Sequence, residues 1–236
     1  MQKLIIAILV FAVIAAFFLG QGMFEKKTEY IERIIYANNI TSAKIVVPAV
    51  DENGNGIIST IEVLALPGNG SILADIDKIF FWVDTQQSIR QAKAVAEAVT
   101  GINLSRWDIV YRVSADADMV EGPSAGAALA IVTIAALQNK KLNSSVMITG
   151  TINEDGKIGP AGGIRQKAIA AKNAGASILL IAKGSMIEGW TKQMTCQRFD
   201  GKEYCELDYV PGNQSIEGIE IREIGDIKEA LSYFGI

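Results

Sequence analysis

The stretch "VEGPSAGAAL", residues 120–129, sets a serine, Ser124, between a Gly-Pro pair and a run of small residues. A serine hydroxyl is a weak nucleophile at neutral pH and needs a base beside it. The usual base is histidine, and the 236 residues contain none. If Ser124 does chemistry, its proton goes to a carboxylate, a tyrosine or a lysine. The same position also suits an N-cap serine that satisfies a backbone N–H at a helix start. A helix start nonetheless concentrates unpaired N–H groups and the positive end of the helix dipole. Those groups can stabilise the oxyanion of an acyl transfer.

A lysine becomes a base when burial strips the hydration of its charged form and lowers its pKa. The segment "GGIRQKAIAAKNAGA" (162–176) reads as a helix between glycines. At ~100° per residue, Ile164, Ala168, Ala171 and Gly175 form one apolar stripe. Arg165 and Lys172 share one flank, whereas Lys167 falls on the opposite edge, between Ala171 and Ala174. Periodicity leaves two readings of Lys167 open, a buried base or a surface lysine whose stem covers apolar neighbours.

The elements that would carry these residues mix strands and helices. "AKIVVPAV", the turn "DENGNG" and "IISTIEVLAL" read as a hairpin. "KIFFWVD" reads as a further strand, "QQSIRQAKAVAEAVTG" as a helix stopped by Gly101, and "WDIVYRVSA" as a strand. Residues 123–138 read as a helix buried all round. "SVMITGTI" and "SILLIAK" follow as strands, then "IEIREI" as a strand and "DIKEALSYF" as a helix. The expected fold is α+β, or mixed α/β, around one core. "DENGNGIISTIE" also fits the calcium-loop pattern through Asp51, Asn53, Asn55, Gly56 and Glu62. That loop needs helical flanks, and strand-like flanks with Asn-Gly favour a hairpin turn instead.

Half of the residues are hydrophobic, enough for a sizeable core. A net charge of −4 excludes a nucleic-acid binder that relies on a basic face. Residues 1–24 stand apart: one charge, Lys3, precedes an apolar run from Leu4 to Leu19 with no polar face. Continued to Phe24, such a helix spans roughly 30 Å, about one hydrocarbon core. We expect a transmembrane or signal-anchor helix over 1–24, uncleaved, since no A-x-A site follows. A stalk is expected over 25–42 and a globular domain over 43–236. Five N-x-S/T sequons begin at Asn39, Asn69, Asn103, Asn143 and Asn213. With the nearby pair Cys196 and Cys205, they favour an extracytoplasmic domain. Lys26, Lys27 and Arg33 pull toward the opposite topology.

"EGPSAG", "TGTINEDGKIGPAGGIRQKAIAAKNAGA" and "ILLIAKG" together resemble the proteolytic domain of Lon proteases, serine peptidases with a Ser–Lys dyad. "GIISTIEVLALPGNGSILAD" and "QQSIRQAKAVAEAV" resemble that domain's opening hairpin and first helix. "IEIREIGDIKEALSYF" is similar to its last strand and helix, so the likeness covers about 43–185 and 218–236. It places the nucleophile on Ser124 and the base on Lys167, 43 positions apart as in the family. It gives Thr149 the task of orienting the lysine amine, and Glu121 the acidic position three before the serine, where many relatives have Asp.

The resemblance implies protein or peptide substrates, no cofactor and no metal, and a homo-oligomeric ring of six. It departs from the family in two respects. No Walker A motif, G-x-x-x-x-G-K-[ST], occurs in the chain, so ATP-independent cleavage is expected. Residues 190–217 read as an insertion. Two other functions fit parts of the pattern. One is a non-catalytic scaffold of the same fold, against which both dyad positions count. The other is a small-molecule kinase-like enzyme binding phosphate at "PSAGAAL", which leaves Lys167 without a purpose.

Overall fold

A computed structural model of the chain describes residues 40–75, 83–115, 122–185, 187, 191–210 and 215–236. The segment 1–24 read as a membrane anchor, nearly all of the stalk, most of "KIFFWVD" and Glu121 lie outside the described residues. No helix among the described residues is long and apolar enough to cross a membrane.

The first sheet begins where Asp51 folds its own turn. Its Oδ1 accepts hydrogen bonds from the backbone N–H groups of Asn53 (2.9 Å) and Asn55 (2.7 Å). Strands β1 (Thr41–Val50) and β2 (Gly56–Pro67) therefore close into an antiparallel hairpin, with Val50 opposite Gly56. The calcium-loop pattern is thus a hairpin turn. Its last member, Glu62, sits in β2 and pairs with Arg112 at 3.8 Å. Alternation fixes the buried face: Ala43, Ile45, Val47 and Ala49 of β1 and Ile61, Val63 and Ala65 of β2 point inward. Strands β3 (Ile72–Asp75) and β4 (Trp107–Ala115) complete the order β1-β2-β4-β3, with β3 parallel to β4.

Helix α1 (Val83–Thr100) starts inside the expected strand "KIFFWVD", taking its last two residues. Its Ile89, Ala92, Val95 and Ala96 are buried, as the spacing requires. Helix α2 (Gly126–Leu137) carries no charge, and all twelve residues are buried between α1 and the first sheet. Its one polar side chain, Thr133, donates to the Leu129 carbonyl at 2.7 Å and meets the buried Tyr111 hydroxyl at 2.8 Å. Both hydroxyls are thereby satisfied away from water.

"SVMITGTI" is not one strand. It divides into β5 (Val146–Ile148) and β6 (Thr151–Ile152), and β6 pairs with β7 (Ile158–Gly159). The break has a clear cause. Thr149 N–H still donates to Leu180 O at 3.0 Å, but Gly150 N–H donates to Ser124 O at 2.8 Å. Gly150 O in turn accepts from Ala127 N–H at 3.0 Å. The chain leaves the sheet to pair with the turn that carries Ser124.

The second sheet, order β11-β12-β8-β5, has a parallel core of β5, β8 (Ile178–Ala182) and β12 (Ile219–Ile224), with β11 (Ser215–Ile216) antiparallel at its edge. Helix α3 (Ile164–Asn173) buries Ile164, Ala168 and Ala171 against Leu179, Ile181 and Ile219 of that sheet. Val46 and Ile58 of the first hairpin pack on the same cluster, so α3 lies between the two sheets. On its polar flank, Arg165 pairs with Glu217 at 2.9 Å and Lys172 donates to the Glu217 carbonyl. Helix α4 (Ile227–Phe234), capped by Asp226, closes the end of the core with Leu231 and Phe234.

The polar segment 190–217 contains a hairpin, β9 (Thr191–Phe199) with β10 (Lys202–Val210), which forms a two-stranded sheet of its own. Cys196 and Cys205 sit directly opposite in its register and form a disulfide. A lone two-stranded ribbon is marginal in water, and the disulfide crosslinks its two strands. Changing both cysteines to serine should cost the ribbon about 2–3 kcal/mol. Limited proteolysis should then cut within 191–210, while thermal unfolding of the core keeps its midpoint.

Candidate active site

The backbone around Ser124 is a 3₁₀ turn, Pro123–Ala125, that leads straight into α2. Ala125 occupies the N-cap of α2 and no side chain caps that helix. The N-cap reading of Ser124 therefore fails, because its hydroxyl is engaged elsewhere. Lys167 Nζ lies 2.8 Å from Ser124 Oγ and 3.1 Å from Thr149 Oγ1. Thr149 Oγ1 in turn donates to Ser124 O at 3.3 Å. Four of its atoms and groups thus close a small network: a hydroxyl, an amine, a second hydroxyl and the first residue's carbonyl.

Each member owes its place to an element named above. Helix α3 begins at Gly163, whose φ of 64° is a left-handed value that L side chains resist. A β-carbon there would also meet Val50 Cγ2 at 2.7 Å. Four residues on, Lys167 N–H donates to Gly163 O at 2.9 Å, which fixes the first helical turn and the lysine's direction. Thr149 is held by the end of the β5 ladder, and the Ser124 turn by the bonds of Ser124 O and Ala127 N–H to Gly150.

Lys167 is only 4% exposed, so the surface-lysine reading also fails. Burial lowers its pKa from 10.5 to about 8 through loss of hydration. No carboxylate among the described residues forms an ion pair with it. The hydroxyl geometry also sets where its lone pair goes. Thr149 spends its proton on the Ser124 carbonyl and offers lone pairs to the amine. An amine N–H must point at Thr149. In the neutral amine the lone pair is then free to accept the Ser124 proton.

Ser124 and Lys167 face a cleft of about 450 Å³. Its walls are chiefly apolar: Val47 and Val50 of β1, Ile61 of β2, Val113 of β4 and Leu129 of α2. The structure thus brings together Ser124, Lys167 and Thr149 from three separate parts of the chain. Glu121 is outside the described residues. Sequence reasoning did not single out Gly150, Gly163 or the cleft face of β1. The doubled glycine ahead of "IRQK" was the one visible signal for Gly163.

At the start of α2 the Ser124 hydroxyl thus meets a buried amine that forms no ion pair among the described residues. Residues 35–188 match the Lon protease (S16) C-terminal proteolytic domain, and the chain belongs to that family. It is 30% identical over 184 residues to the Lon protease of Buchnera aphidicola subsp. Acyrthosiphon pisum, covering 75% of this chain and 21% of that protein. It is 29% identical over 165 residues to the Lon protease of Lachnoclostridium phytofermentans, covering 65% and 20%. Lon protease 2 of Thermus thermophilus is 32% identical over 139 residues, covering 54% and 16%. The chain spans about a fifth of the length of the curated relatives it matches.

Thr149→Val deletes the hydroxyl that accepts from the Lys167 amine and keeps the side-chain shape. Labelling of Ser124 by a fluorophosphonate probe should slow roughly tenfold. Thr149→Ser should restore most of the rate. Equal labelling of the wild type and the valine variant would remove Thr149 from the site.

Proposed function

We propose that the chain is a serine endopeptidase in which Ser124 is the nucleophile and Lys167 its general base. The observation that carries the reading is the 2.8 Å contact between Lys167 Nζ and Ser124 Oγ at the base of the cleft. The neutral amine takes the Ser124 proton as Oγ attacks the scissile carbonyl carbon. Charge develops on the carbonyl oxygen, near the N-terminal end of α2, where helix N–H groups and dipole favour an anion. The ammonium of Lys167 then returns the proton to the leaving amine, the C–N bond breaks, and an acyl-Ser124 ester remains. Water, deprotonated by the same amine, hydrolyses that ester and regenerates the serine.

The apolar cleft walls suit an unfolded segment with apolar side chains. β1 is an edge strand and Val47–Val50 line the cleft, so an extended peptide can lie beside it. None of these steps uses a nucleotide, and the 236 residues contain no Walker A motif. The proposed activity is therefore ATP-independent. We place the domain outside the cytoplasm, held to a membrane by residues 1–24 and acting on unfolded or membrane-associated proteins, as a homo-oligomeric ring. The apolar run after Lys3, the five sequons and the Cys196–Cys205 disulfide support that location. Protease shaving of intact cells tests it: a domain protected from outside would reverse the orientation.

Casein hydrolysis by the chain should proceed at one rate with and without ATP and magnesium. Ser124→Ala and Lys167→Met should each reduce kcat by about 10³-fold or more, and the double variant by no more than either alone. Lys167→Arg should be equally inactive, because a guanidinium keeps its proton. A folded, active Lys167→Arg enzyme would overturn the dyad.

The pH profile follows from the sign of the lysine shift. With a pKa near 8, only about a tenth of Lys167 is neutral at pH 7. The base form grows as pH rises, so kcat/KM should climb between pH 7 and 9 and then level off. A peak near pH 5 would exclude Lys167 as the base.

A further inference from the structure

Gly56 is the glycine of the calcium-loop pattern and has no part in the chemistry above. It is exposed on one side, and its φ is not left-handed, so neither burial nor backbone conformation demands glycine there. Space does. A β-carbon on Gly56 would overlap the backbone carbonyl of Gln166, and would lie 3.2 Å from Ala170 Cβ. Gln166 is the residue immediately before Lys167, and its carbonyl belongs to the same peptide unit as the Lys167 N–H. Backbone in the first turn of a packed helix cannot swing aside as a flexible side chain can.

The residue opposite Gly56 in the hairpin register is Val50. Its Cγ2 lies 2.7 Å from where a β-carbon on Gly163 would be. The closing pair of the hairpin therefore borders α3 at two points ahead of Lys167, Val50 beside Gly163 and Gly56 beside Gln166. The Gly163 carbonyl accepts the Lys167 N–H. Gly56 lets the hairpin backbone come against Gln166. The opposite wall of α3 is fixed by Ile164 and Ala168 against the second sheet. Any atom added at Gly56 has to push the Gln166–Lys167 peptide away from the hairpin.

We propose that Gly56 is a positioning residue for Lys167: the closing pair of the β1–β2 hairpin clamps the first turn of α3 and so sets the reach of the amine to Ser124. This rests on the dyad reading of the preceding subsection. It also gives the hairpin a second task, because the same strand β1 lines the cleft. The groups that face the amine are the hydroxyls of Ser124 and Thr149, and no charged side chain among the described residues bonds to it. A displacement of the amine that admits water will therefore move its titration upward, toward the ordinary lysine value.

The test compares Gly56→Ala with Gly54→Ala in the full chain. Gly54 lies in the same turn, with a φ of 83° and nothing within 4 Å of an added β-carbon, so it strains the turn without touching α3. Gly56→Ala should lower kcat roughly 10- to 100-fold with KM little changed, and shift the rising limb of the pH profile to higher pH. Gly54→Ala should keep the wild-type kcat and limb. A folded Gly56→Ala enzyme with wild-type kcat and limb overturns the proposal. If Gly56→Ala does not fold, Val50→Ala decides, since it removes atoms and adds none. Its limb should also move upward, and an unmoved limb overturns the clamp. Lys167→Met, assayed in parallel, separates the two ideas: if it retains activity, the dyad itself fails, whereas an inactive Lys167→Met beside a normal Gly56→Ala removes only the clamp.

Discussion

The Lys167 amine, which meets no counter-ion among the described residues, has to be kept dry. This is the constraint on which the site depends. Moving the Lys167 pKa from 10.5 to about 8 sets roughly 3 kcal/mol against its charged form. A single carboxylate beside it would reverse that bias. Its described neighbours are accordingly hydroxyls and apolar side chains, and the helix's other cations are turned to the far flank, where Arg165 and Lys172 both meet Glu217. The cost of leaving a buried amine unpaired is offset by the two hydroxyls that accept or donate to it.

The fold supplies dryness by lodging α3 between two sheets. One face of the helix is buried on the parallel strands, and the hairpin β1–β2 covers its first turn. The Ser124 turn is brought to the amine by a different route. α2 is apolar but for Thr133 and therefore sinks into the core, and its N-terminal turn is tied to Gly150 by two backbone hydrogen bonds. The strand break at Thr149–Gly150 serves both ends. It frees the Gly150 amide and carbonyl for the Ser124 turn and leaves the Thr149 side chain beside the lysine. Two of the three segments thus meet through backbone pairing, and the third reaches them through the Lys167 side chain of a helix held by apolar packing.

The disulfide ribbon follows another logic. Its described side chains are exposed, with Phe199 at 77%, and it pairs with no other strand among the described residues. Its described side chains add no hydrophobic burial, and a covalent crosslink ties its two strands. The family match ends at residue 188, just before the ribbon begins. The shared peptidase fold and the ribbon are therefore stabilised by separate means, and changes in one need not disturb the other.

Much of this was legible in the sequence because it rests on local rules. Asp51 and its Asn-Gly partners spell a hairpin turn, the spacing of Ile89, Ala92, Val95 and Ala96 spells a helix, and the featureless apolar run 126–137 spells burial. The "GPSAG" and "GGIRQK" motifs marked Ser124 and Lys167 as candidates. What periodicity left open was decided by tertiary structure. Lys167 lies at the edge of its helical stripe, and whether such an edge faces water or a cleft depends on what packs against it. Here the hairpin does. Ser124 reads equally well as an N-cap, and only the arrival of Lys167 at its hydroxyl removes that role. The split of "SVMITGTI" was hidden for the same reason: β-branched residues favour a continuous strand, and the competing partner, the Ser124 turn, lies 25 positions earlier in the chain. Residue type and spacing fixed which groups were available for chemistry. Long-range backbone pairing and the exclusion of water decided which of them meet, and in which protonation state.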